Sequence, residues 1–193
     1  VRVLAKGRPV TTSQVDEIVA ELGIDLDASE QFLQTVAERD DDDNIVGALG
    51  LSLKEHPHSF NVGGTQMTAW CAQDTLFLPV MLQQTATVET QSPVSKEKIR
   101  NTVGPDGVKG ANPDGAVMST VVFDPDSTEL NTPTDIQMNF CRNIHFFASE
   151  EEVEQWAAGR SDIEILSLEE AFELGSQLWP EANSYAKALS ESA

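Results

Sequence analysis

Only two cysteines occur in the 193-residue sequence, Cys71 and Cys141, so at most one disulfide could form and a disulfide framework is excluded. Basic residues are scarce as well: 12 Lys and Arg stand against 32 Asp and Glu, a formal net charge of −20. Binding to phosphate draws on counterions released by Lys and Arg, so neither nucleic acid nor an anionic lipid surface is expected as a partner. No apolar run approaches the roughly 18 residues of a membrane-crossing helix. The first residues carry no basic segment leading into an apolar core and a cleavage site, so a cytoplasmic protein with free thiols is expected. A P-loop, a dinucleotide fingerprint and internal repeats are also missing, and no organic cofactor is read from the chain.

What is present fits a globular protein of one domain or two small ones. Hydrophobic residues make up 40% of the chain, and a fold of this length buries roughly 70% of its unfolded surface. The acidic excess is spread along the whole sequence, as in proteins adapted to high salt, where screening shortens to about 3 Å at 1 M and removes most self-repulsion. Stability that rises with KCl over the molar range is expected; equal stability in dilute buffer would contradict it.

The fold class expected is α+β, an N-terminal winged-helix-like helical unit followed by a mixed or antiparallel sheet with flanking helices. Residues 1–55 form the first unit. Arg2–Lys6 reads as the tail of a helix stopped by Gly7, Thr12 or Ser13 caps a second helix closed by Gly23, and a third runs from Ala28 to Arg39. An acidic turn, Asp40–Asn44, leads to a strand over Ile45–Leu53. Three helices and a wing suggest a transcriptional regulator, but from Ile24 to Asn44 eight acids face Arg39 alone. That charge leaves no phosphate contacts, and a scaffold or lid is the better reading.

Residues 56–193 form the second unit. Strands are expected at Ser59–Val62 and Gln66–Ala69, then a central helix that Pro79 kinks or restarts. Strands at Thr85–Thr90, Val94–Val103 and Ala116–Phe123 follow, with Gly104–Gly115 as a long loop or hairpin tip. Asp124–Pro133 is turn-rich, and Met138–Ser149 has the apolar and aromatic bias of a buried strand. Ser149 with Glu152, and Ser167 with Glu170, mark capping boxes of two helices around a short strand at Ile163–Leu166. Pro180 interrupts before a last helical stretch.

The chemistry concentrates near the cysteines. Cys71 and Asp74 are three apart, so on a helix they share a face with Cβ atoms about 5–6 Å apart. Cys71 stands near a helix start, where unpaired amides favour thiolate, the form that binds soft metals. A carboxyl buried beside it protonates and becomes a proton donor, whereas the plain alternative for Asp74 is an exposed helix position. Trp70 and Phe140 either wall the site or pack in the core. Cys71, Asp74, Cys141 and His145 can be drawn as a zinc site, His145 being in phase with Cys141 on a strand, but the close ligand pairs of structural zinc sites are missing. His56 and His58 read as surface residues.

Two segments, Trp70-Cys71-Ala72-Gln73-Asp74-Thr75-Leu76 and Phe140-Cys141 followed by His145-Phe146-Phe147-Ala148-Ser149, resemble the signature of the organomercurial (alkylmercury) lyases. The resemblance implies protonolysis of a carbon–mercury bond to a hydrocarbon and Hg(II), without an organic cofactor. It places Cys71 and Cys141 as the thiolates that bind mercury and Asp74 as the residue that relays the proton. It also implies low-molecular-weight thiols or a mercuric reductase as the acceptor of Hg(II). Arg142 stands where familiar members carry a second adjacent cysteine, and a further cysteine beyond the central helix is missing. The alternative on the same residues is a non-catalytic protein that binds or delivers a soft metal such as Hg(II) or Cu(I).

Overall fold

The computed structural model describes residues 1–122 and 130–178; the expectations for Phe123, for Asp124–Glu129 and for the stretch after Pro180 lie outside them. The class is α+β, a large antiparallel sheet with flanking helices. At the start of the chain Leu4–Lys6 is a single 3-10 turn, closed by Gly7 at φ +77°. Helix α1 (Thr12–Leu22) is capped one residue earlier than expected, by Thr11, whose hydroxyl accepts from the Gln14 amide while the Gln14 side chain accepts from the Thr11 amide. Helix α2 (Leu26–Val36) begins two residues earlier than expected and is capped by Asp25. The last residues expected in that helix are extended instead, as β1 (Ala37–Arg39).

Strand β2 (Ile45–Ala48) pairs with β1, and β3 (Leu51–Ser52) folds back on β2. The single strand expected over Ile45–Leu53 is thus broken by a turn at Leu49 and Gly50, both at positive φ. Strands β4 (His58–Val62) and β5 (Thr65–Ala69) form a hairpin, followed by α3 (Ala72–Leu82), β6 (Ala86–Gln91), β7 (Lys98–Gly104) and β8 (Gly107–Asn112). Strand β8 occupies much of the stretch expected as a loop; its glycines and polar residues sit on an exposed edge, where little apolar patterning is needed. The sheet order is β1-β2-β3-β5-β4-β6-β7-β8, antiparallel throughout and continuous across residue 55.

A second antiparallel sheet, order β10-β9-β11, contains β9 (Val117–Val121), β10 (Phe146–Phe147) and β11 (Ile163–Ser167). Helices α5 (Glu150–Ala157) and α6 (Leu168–Leu178) flank it, while α4 (Pro133–Asn139) packs against α2. The Ser167–Glu170 capping box forms at the start of α6. At α5 the Ser149 side chain makes no cap bond, and Glu152 instead accepts from the Ala148 amide and the Ser92 hydroxyl. Helix α3 is apolar nearly all round, with Leu76, Phe77, Leu78 and Leu82 buried, as a helix enclosed on every side must be. It runs unbroken through Pro79. One core joins Leu4 and Val10 through α3 and the sheet to Ala171.

Candidate active site

Cys71 is the N-cap of α3, in extended backbone conformation directly after β5. Its amide donates to Asp74 Oδ2 at 2.8 Å, and a reciprocal capping-box arrangement ties the cysteine to the first turn. The chain therefore uses the acid as a local cap, which fixes the Asp74 carboxyl beside the sulfur. The turn before it helps: Gly50, at φ +88°, lies so close that a Cβ there would sit 2.4 Å from Asp74 Cγ. Gly50→Ala should therefore displace the carboxyl and strain the turn, lowering stability by about 1–2 kcal/mol. Thermal unfolding read beside turnover checks this; an unchanged rate would show that Asp74 need not rest there.

Cys141 arrives by a different route from the expected strand. Thr132 caps α4 with Pro133 in its first turn, and the helix gives way at Phe140 to a 3-10 turn, Cys141–Asn143. Only Phe146 and Phe147 are extended, so the strand phase assumed between Cys141 and His145 does not exist. The polar Asn139, Arg142 and Asn143 break the apolar run, and their turn is held in place. The Ala72 amide donates to Ile144 O at 3.4 Å, the Ser119 hydroxyl donates to Asn143 O at 2.8 Å, and the His145 amide donates to Ser119 Oγ at 3.1 Å. These bonds seat the Cys141 turn against the start of α3.

The ligand atoms of Cys71, Asp74 and Cys141 all lie within 4.8 Å of one another. Both sulfurs are buried free thiols, and Asp74 keeps partial exposure. Asp74 and Cys141 open on a cavity of about 440 Å³, walled by Trp70, Phe77, Ile136 and Phe140 among others. Both aromatics named from the sequence are thus wall residues. Burial pushes the Asp74 carboxyl up to about 6, against the hydrogen bonds with Cys71 that favour its ionised form. Burial also pushes the Cys71 thiol well up, helped by its hydrogen bond with Cys141 and the charge of Asp74. The thiolate expected from the helix start is therefore not the resting form: desolvation and a neighbouring acid outweigh the amide dipoles. A soft ion that replaces the proton reverses this balance.

The alkylmercury lyase (MerB) family model matches residues 51–179. The chain belongs to the alkylmercury lyase family. It is 36% identical over 179 residues to the alkylmercury lyase of Staphylococcus epidermidis, covering 92% of this chain and 78% of that protein. It is 36% identical over 180 residues to the alkylmercury lyase of Pseudomonas putida, with 90% and 78% covered. The crystal structure of the mercury-bound form of MerB2 superposes with a TM-score of 0.73 at 27% identity, over 95% of this chain and 85% of that one.

In this alkylmercury lyase family member the histidines stand apart from the cluster. His145 hydrogen-bonds through Nε2 to Arg142 O at 2.8 Å and packs edge-on against Trp156, so among the described residues the metal-competent group is Cys71, Asp74 and Cys141 without it. His58, expected at the surface, is 2% exposed with no partner for either ring nitrogen among the described residues, and burial lowers it to about 3, leaving the ring neutral. It sits on β4 against Phe146, where its ring serves as packing.

Glu38, one of the eight acids between Ile24 and Asn44, is half-buried and not a free surface charge. Its carboxylate accepts from Ser52 Oγ at 2.5 Å and Gln137 Nε2 at 3.1 Å and pairs with His56 Nε2 at 3.2 Å. Burial alone would raise its pKa, but these bonds outweigh it and hold the carboxyl at about 2. The cluster links β1 to α4, the helix that leads into Cys141. The native state here favours the ionised form, so the stabilisation is complete above the unfolded value of 4.5 and is lost as pH falls toward 2. Glu38→Gln should cost about 1–3 kcal/mol at pH 7 and much less near pH 2. Denaturant unfolding at the two pH values measures it; an equal cost at both would place the effect in packing.

Proposed function

We propose that this protein is an organomercurial lyase whose two cysteines hold mercury while Asp74 delivers the proton to carbon. The observation that carries the reading is the convergence of Cys71, Asp74 and Cys141 within 4.8 Å at an apolar cavity. The balance is simple. An organomercurial R–Hg–X and two thiols give R–H, Hg(II) held by two thiolates, and HX. The first sulfur displaces X and the second raises the coordination of mercury, which loosens its bond to carbon. Asp74 takes up one thiol proton and passes it to the departing carbon, and the second proton leaves with X. General acid catalysis of this kind requires the donor within reach of the reacting atom, which the capped Asp74 provides.

The same donor set would suit a carrier of Hg(II) or Cu(I) that performs no chemistry, since two thiolates are a natural trap for a soft ion. Incubation with phenylmercury and excess thiol separates the two: benzene release marks the lyase, and stoichiometric binding without benzene marks the carrier. Low-molecular-weight thiols or a mercuric reductase then remove Hg(II) from the cysteine pair. Residues 1–55 act as scaffold and cover, a role supported by Val36, Leu49 and Gly50 in the cavity wall, and residues 56–193 carry the chemistry.

A further inference from the structure

Helix α4 brings the second cysteine to the site, yet none of its residues is fully buried. It packs against α2, lends Ile136 to the cavity wall, and ends at Phe140, a second wall residue, where the Cys141 turn begins. Packing so light does not by itself hold a helix end to within an ångström. A polar bond adds the constraint: Gln137 Nε2, about one helical turn before Cys141, donates to Glu38 Oε1 at 3.1 Å, across 99 positions of sequence.

The carboxylate that receives this bond is itself held. Ser52 Oγ donates to Oε2 and His56 Nε2 pairs with Oε1. Gly47 leaves the room, since a Cβ there would overlap Oε2. Glu38, Gly47 and Ser52 stand on β1, β2 and β3, which are joined in order to β5, and β5 leads directly into Cys71. The sheet that fixes Cys71 thus reaches the helix that delivers Cys141 through the Glu38–Gln137 bond.

We infer that Glu38 is a positioning residue for the reaction: by holding Gln137 it sets how far Cys141 stands from Cys71. This rests on the lyase reading above. Both sulfurs must reach one mercury as its bond to carbon breaks, and a misplacement of about 1 Å at a reacting group costs on the order of 10²-fold in rate. The bond also gives residues 1–55 a part in the chemistry without contact with the reacting atoms.

The first test is Gln137→Leu, which keeps the bulk and removes the donor on a helix with no buried residue. It should melt close to the wild type. Its kcat with phenylmercury should fall roughly 10- to 100-fold with KM nearly unchanged, because one sulfur still captures the substrate. Its affinity for Hg(II), read by competition with dithiothreitol, should fall roughly 10-fold, because the second thiolate no longer stands at the chelating distance. Gln137→Glu sets two carboxylates together and should be the more damaged variant. Adding Glu38→Gln to it restores an amide facing a carboxylate and should recover most of the lost kcat. An unchanged kcat in Gln137→Leu, a lower kcat that recovers when the assay is run well below a reduced melting temperature, or no recovery in the double variant would overturn the inference. Mercury affinity needs no bond cleavage, so the two readings part: absence of benzene from the wild type counts against the lyase alone, and an unchanged Hg(II) affinity in Gln137→Leu counts against Glu38 alone.

Discussion

Cys71→Ser and Cys141→Ser should each take hydrocarbon release from phenylmercury below detection, a loss of roughly 10⁴-fold or more, as when a covalent catalyst loses its nucleophile. A serine hydroxyl keeps the shape of the side chain and removes the polarizable, mercury-seeking atom, so the loss should come with little change in fold. Both thiols are buried, and the Cys71 proton is held tightly by its surroundings. Mercury must therefore expel protons to bind, which a soft ion does at sulfur and not at a neutral hydroxyl. The two variants should differ in what they retain. With one sulfur left, an organomercurial can attach once, and mass spectrometry of the unreacted protein should find the organic group still on the metal. Turnover surviving in either variant would remove the requirement for two sulfurs within 4.8 Å of a shared acid.

How much of this site was legible in the sequence depended on the range of the interactions involved. The Cys71–Asp74 pair was readable because three residues along a helix set a distance by themselves, and the structure adds only that the pair forms the helix cap. Cys141 was legible as a partner and wrongly placed on a strand, because an apolar run does not reveal a 3-10 turn. That turn is set by hydrogen bonds from Ala72 and Ser119, at separations no local pattern records. Glu38 was misread for the same reason. Within an acidic run it resembles its neighbours, and only the fold brings Ser52, His56 and Gln137 to it. Gly50 left a faint signal, a glycine in an otherwise apolar strand, which marks a turn or a close approach. The strand β8 lacked any signal, since an exposed edge needs neither branched nor aromatic residues. Protonation was the least legible property: helix position alone argued for a thiolate at Cys71, and burial decided otherwise.

Asp74→Ala should lower turnover by roughly 10²–10⁴, the contribution of a positioned acid, while Hg(II) stays bound by the two cysteines. Asp74→Asn is the sharper variant, since it keeps the shape and the acceptor for the Cys71 amide and removes only the transferable proton. The wild-type pH profile follows from a carboxyl that titrates at about 6. Below that value the proton is present before substrate arrives. A protonated carboxyl cannot take up the proton that a thiol must shed on binding mercury, whereas the carboxylate above 6 can, so single-turnover cleavage should rise as pH rises through 6, and this dependence should vanish in Asp74→Asn. Stability supplies an independent check of sign. A carboxyl raised from 3.8 to about 6 binds its proton more tightly in the native state, so folding is favoured most below 3.8 and loses part of that stability as pH rises through 6. Asp74→Asn should therefore raise the melting temperature at pH 8, by an amount equivalent to about 1–2 kcal/mol after allowance for partial exposure, and change it little at pH 4. A variant that is inactive, still binds Hg(II) and is more stable at alkaline pH would mark Asp74 as an acid kept in the site for chemistry at the expense of the fold. A variant less stable at pH 8 would mean that its carboxylate serves chiefly as the cap of α3.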